Sequence, residues 1–168
     1  MRITIFKAAP LIAGLLGILL PSSISGADRL DAALLRAPDI PAECNLIEGT
    51  FPVDMQTAML YERYDIYKKI LPPLSDKRAQ SFRCGKNKGT IYYFAFADTA
   101  SREQAETFIR HLLWGADHPT PDHPEQIEHG ENLLVVVSFT KAPSNLLEAL
   151  RAKLSGGAKP APTAAPGL

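Results

Sequence analysis

The chain has 168 residues, 46% of them hydrophobic and 21% charged, with 18 basic side chains against 18 acidic ones. That composition suits one globular domain of ordinary size. A balanced charge with no long basic run lacks the electrostatic footprint that a phosphate backbone demands, so nucleic acid is not expected as a partner.

The N-terminus reads as a secretory leader. "MRITIFK" carries Arg2 and Lys7 without an acid, "AAPLIAGLLGILL" is a short apolar run, and "PSSISGA" places Ser25 and Ala27 at the small positions that a signal peptidase requires. Pro10 and Pro21 bracket only about ten apolar residues, half of the roughly 20 needed to span a bilayer. Residues 1–27 are therefore expected to be removed after Ala27, with no stable membrane span remaining. The mature chain would hold 16 basic and 18 acidic side chains, and a periplasmic or secreted location follows.

Residues 28–43 read as a lead-in, with Leu30, Leu34 and Leu35 on a brief helix before Pro38 and Pro41. The two cysteines, Cys44 and Cys84, form an even pair, which in an oxidising compartment is first read as a disulfide. "CNLIEGTF" is a short strand pattern. "DMQTAMLYERYDIYKKIL" repeats its apolar residues every three or four positions and predicts one helix, capped by Asp54, with Asp65 facing Lys68 and Lys69 and Pro72 and Pro73 at the end. Its Tyr61, Tyr64 and Tyr67 are expected in packing rather than as a ligand platform.

"AQSFRCGKNKGTIYYFAFAD" predicts two strands around a Gly-Lys-Asn-Lys-Gly turn. "DTASREQAETFIRHLLWG" predicts a helix with Ala105, Phe108, Ile109, Leu112 and Leu113 on one stripe, a Ser101–Gln104 capping box and Gly115 at the C-terminus. After an irregular connection, "NLLVVVSF" is an apolar strand, and "SNLLEALRAKL" is a helix capped by Ser144. Residues 155–168, built of Gly, Pro and Ala, are expected to be a disordered tail, because they cannot offset their ordering entropy by burial.

The body, residues 44–154, thus reads as a single α+β domain. Its order is strand, helix, strand, strand, helix, strand, that of a ferredoxin-like βαββαβ sandwich with an additional C-terminal helix. In that topology one strand separates Cys44 from Cys84, so their bond would form just beyond the strand ends. Apolar residues occupy both faces of the last strands, and two helices cover only one. The other, assigned Ile91, Tyr93, Leu134 and Val136, is expected to meet the terminal helices, a second copy of the chain, an envelope protein or a ligand.

The connection "WGADHPTPDHPEQIEHGEN" concentrates the histidines. His111, His118, His123 and His129, with Asp117, Asp122 and Glu128 as hard or supporting ligands, are the candidates for zinc or copper, which suit imidazole and carboxylate. Proline-rich backbone would hold His118 and His123 about 15 Å apart unless the loop turns near Thr120. A hydrated surface loop is the plainer reading.

Signatures such as G-x-S-x-G, H-E-x-x-H and a glycine-rich phosphate loop do not occur. Ser138, His111 and Asp98 make one Ser/His/Asp combination, but any chain of this length offers such triples, and no catalytic residue is assigned. The leading expectation is a small exported, non-catalytic binding or accessory module acting through a sheet face or by self-association. A periplasmic metal-binding protein using the histidine loop comes second. A small hydrolase or a dimeric α/β-barrel enzyme comes third.

Overall fold

The computed structural model describes residues 26–115 and 118–156. Residues 1–25 of the expected leader, Asp117 and nearly all of the C-terminal tail lie outside them. The fold begins with helix α1 (Gly26–Ala33) and a short 3₁₀ turn, then strand β1 (Cys44–Ile47), helix α2 (Met55–Glu62) and a second 3₁₀ turn (Tyr64–Tyr67). Strands β2 (Asp76–Cys84) and β3 (Asn87–Ala95), helix α3 (Thr99–Trp114), strands β4 (Gln126–His129) and β5 (Leu133–Phe139), and helix α4 (Ser144–Leu154) complete it.

The protein is of the mixed α+β class, but the ferredoxin-like order does not hold. The strands form one five-stranded sheet in the order β1-β2-β3-β5-β4, and every neighbouring pair is antiparallel. Two features redirect the topology. Strand β1 is only four residues long and pairs directly with β2, and an extra edge strand, β4, arises inside the histidine connection, where its single large apolar residue, Ile127, offers little period-2 signal.

Direct pairing also corrects the placement of the cysteines. Cys44 lies opposite Cys84 with no strand between them, and the two form a disulfide within the ladder, their Cα atoms 4.0 Å apart. The next pair outward is joined by the bond from Gly85 N–H to the Glu43 carbonyl. The cysteines therefore occupy a non-hydrogen-bonded pair, the kind in which facing residues approach most closely.

The β2–β3 hairpin is tighter than the five-residue turn expected from its tip. Cys84 pairs with Asn87, so Gly85 and Lys86 alone make the connection. Gly85 takes φ +61°, the left-handed region that glycine enters without a Cβ penalty, as the first position of a type II′ turn requires. A second glycine is needed for space, because a Cβ on Gly89 would lie 2.3 Å from the Phe139 ring.

Helix α2 ends earlier than its sequence pattern. At Arg63 the backbone leaves helical geometry (φ −118°, ψ 40°), and Asp65 faces Arg63 at 3.6 Å rather than the two lysines. In α3 the cap is Asp98, whose Oδ1 accepts the Ser101 N–H at 2.7 Å, in place of the Ser101–Gln104 box; Gly115 closes the helix at φ 63°. Ser144 is the first residue of α4, which follows Pro143 without a side-chain cap.

Helices cover both faces of the sheet. Helices α1 and α4 bring Leu30, Ala33, Leu146 and Leu150 against Phe82, Ile91, Tyr93, Val135, Val137 and Phe139. On the other face Leu60, Tyr64, Ala105, Ile109 and Leu113 pack on Tyr92, Phe94, Phe96, Leu134 and Val136. The expected interaction face is accordingly not one surface. Register sets Ile91 opposite Val137 and Tyr93 opposite Val135; facing residues share a side of the sheet, so Leu134 and Val136 belong to the other. All four are fully buried by the chain's own helices.

Candidate functional site

A row of polar side chains crosses the otherwise apolar face beneath α2. Ser81 on β2, Thr90 on β3 and Ser138 on β5 are register partners, and all three are buried. Burying hydroxyls in such a core costs free energy unless each is hydrogen-bonded, and their partners lie on the segment between β1 and α2. Ser81 Oγ donates to the Gly49 carbonyl at 2.5 Å and lies 2.7 Å from Thr90 Oγ1. Phe51 N–H donates to Thr90 Oγ1 and Val53 N–H to Ser138 Oγ, each at 2.8 Å. The row pins down residues 49–53, and Asp54 follows directly.

Asp54 is the N-cap of α2, with extended backbone and its Oδ1 accepting the Thr57 N–H at 2.8 Å. The other side of the site comes from the chain entering β4. Thr120 and His123 exchange backbone hydrogen bonds at 3.1 and 3.2 Å; this is the sharp turn that an extended reading of the proline-rich loop lacks. The turn sets His123 Nδ1 3.3 Å from Asp54 Oδ2. Two residues on, Glu125 extends the polar row, since continuing the β4–β5 register one step past Gln126 and Val137 places it opposite Ser138.

Donor atoms of Asp54, His123 and Glu125 all lie within 4.8 Å of one another. Glu125 has no solvent exposure; Thr57 Oγ1 donates to its Oε1 at 3.3 Å, and its Oε2 is buried with no N–H or hydroxyl donor beside it. Burial, reinforced by the neighbouring Asp54 carboxyl, pushes Glu125 up to about 7. Burial alone would raise Asp54 as well. Hydrogen bonds from the protonated Glu125 carboxyl, the Thr57 N–H and His123 outweigh it and hold Asp54 below the usual carboxylate range. Thr57 thus engages one oxygen of each carboxylate and leaves the second of each to face the cluster.

Of the expected ligands among the described residues, only His123 is in this cluster; Asp117 lies outside the described residues. His118 and Asp122 are exposed on the loop, and His111 is exposed near the end of α3. His129 instead meets Glu106 Oε2 at 3.1 Å. That carboxylate also receives Arg102 at 2.8 Å and Arg110 at 2.6 Å, an arrangement that fastens α3 to β4. Asp54 and Glu125 do not stand out as ligands in the sequence. The Asp54-x-x-Thr57 spacing announces a cap and nothing more, and no local pattern marks Glu125.

The Ser138, His111 and Asp98 combination does not assemble. Ser138 accepts from Val53, while Asp98 and His111 lie at opposite ends of α3, roughly 20 Å apart at about 1.5 Å per residue. The tyrosines pack as expected: Tyr64 is buried with its hydroxyl donating to the Pro72 carbonyl, and Tyr61 lies 4.9 Å from the Tyr92 ring.

Fold and site together define an α+β protein with a half-buried cluster of two carboxylates and one imidazole. Compared with known proteins, the chain matches no family model, no curated protein and no solved structure.

Proposed function

We propose that this is a small exported, non-catalytic binding protein whose ligand is one divalent metal ion of the zinc class, held by Asp54, His123 and Glu125. One observation carries the reading. Glu125 is a fully buried carboxyl whose Oε2 receives no N–H or hydroxyl donor, and it is held against the Asp54 carboxyl and the His123 ring with donor atoms within 4.8 Å of one another. Two adjacent, partly buried carboxyls repel each other when both ionise, and a cation bound in place of the shared proton offsets that cost directly. Two oxygen donors and one imidazole nitrogen suit zinc(II) better than copper(I), which favours thiolate and thioether. Export is supported by the leader pattern and by a disulfide, which persists in oxidising compartments.

Calorimetric titration with zinc at neutral pH tests the reading. One ion per chain is expected, with affinity reduced at least about tenfold in Glu125→Gln and His123→Ala and unchanged in His118→Ala. Equal affinity across all four proteins, or no saturable binding by the wild type, would refute it.

A further inference from the structure

Among the described residues, every large apolar side chain that is exposed lies between Leu46 and Ile70. Most belong to the layer over the polar row. Thr57, Leu60, Tyr64 and Leu71 turn toward the sheet, while Met55, Met59, Ile66 and Ile70 turn away from it. The break at Arg63 makes a distinct tip of residues 63–70, where Ile66 is 47% and Ile70 54% exposed. Lys68 and Lys69 stand between these two isoleucines, both exposed and neither in an ion pair among the described residues. The nearby charges are Glu62, exposed, and Arg63 and Asp65, which face each other at 3.6 Å.

From this surface we infer that the 63–70 tip is a peripheral contact for an anionic lipid membrane. Exposed aliphatic side chains flanking a pair of lysines suit the boundary of headgroup and acyl chain. Lysine stems lie along apolar material while their ammonium groups reach the phosphates. The lysines select the occupant, because a purely apolar patch would suit any greasy partner, whereas paired ammonium groups between apolar anchors call for a surface both anionic and oily. Roughly half of each isoleucine already faces solvent, so insertion requires no rearrangement of the core. The contact is reversible and needs no spanning segment; no helix among the described residues is long and apolar enough to cross a membrane. The inference is independent of the metal reading.

Sedimentation of the full mature chain with lipid vesicles tests it. Vesicles containing phosphatidylglycerol should carry the protein down at low salt and release it at high salt, and phosphatidylcholine vesicles should not bind it. The double variants Ile66→Ser with Ile70→Ser, and Lys68→Gln with Lys69→Gln, should each reduce the bound fraction about tenfold while melting as the wild type does. His123→Ala should bind vesicles normally. Failure of the wild type to sediment with anionic vesicles, or undiminished binding by either double variant, overturns the inference. So does light scattering that shows a dimer dissolved by the isoleucine variant in a protein that ignores vesicles.

Discussion

At the scale of single residues, the Glu106 carboxylate shows how a buried charge is kept. Its side chain is only 11% exposed, yet it faces Arg102, Arg110 and His129 at once. Burial would raise its pKa, but the hydrogen bonds from Arg110 and Arg102 and the His129 charge outweigh it and leave the carboxyl below its ordinary 4.5. A carboxyl held below its unfolded value makes the unfolded chain take up the proton first as pH falls. The stabilisation is therefore complete above about 4.5 and lost on descending through the folded pKa. Glu106→Gln should cost about 2 kcal/mol at neutral pH, because it leaves the buried Arg102 paired only with the largely exposed Glu103 at 3.1 Å, and should flatten the acid limb of stability against pH. Urea unfolding of both proteins across the acid range measures the two effects. His129 stood out in the sequence, but its partner did not, since Glu106 and Arg102 share a helix face that periodicity alone assigns to the core.

At the scale of elements, the segment between β1 and α2 has no regular structure of its own, and hydroxyls on three different strands hold it. Thr90 is the middle of that row and accepts the Phe51 N–H. Thr90→Val keeps the shape of the side chain and leaves that N–H without its partner, a loss of about 1–3 kcal/mol where the group stays buried. Zinc affinity should fall several-fold as well, although residue 90 is not a ligand, because residues 49–53 determine where Asp54 stands. Denaturant midpoint and zinc titration on one preparation separate the two effects. The strands of this row were legible individually from their apolar runs. Their polar members read as interruptions, because a single sequence does not reveal which strand lies beside which. Helix α3 was the most legible element, with its stripe and its terminal glycine both within one local window. Strand β4 was the least, being short, at the sheet edge and only partly buried.

At the scale of the whole molecule, both faces of the sheet are used internally, and the rationale for a sticky sheet face is gone. The surfaces for which a use is proposed are the cluster at Asp54 and the segment at Ile66. The disulfide closes a separation of 40 residues that contains the entire α2 layer, so it restrains the unfolded chain and should contribute up to about 4 kcal/mol in the chain-entropy picture. Material recovered from an exporting host should begin at Asp28 and contain no titratable thiol; an intact leader or two free thiols would contradict export. Reduction should lower the melting temperature without changing the helical signal at ambient temperature.

Sequence by itself determined the α+β class, the apolar strands and several helix ends, since each depends on residues within one turn or one strand of each other, and it determined the cysteine pair because the chain holds no third cysteine to compete. Tertiary structure alone decided the strand order, the covering of the second face and the meeting of Asp54 with Glu125 across a separation of about seventy positions. Those outcomes depend on which surfaces exclude water together, a property of the assembled layers and not of any local stretch of chain.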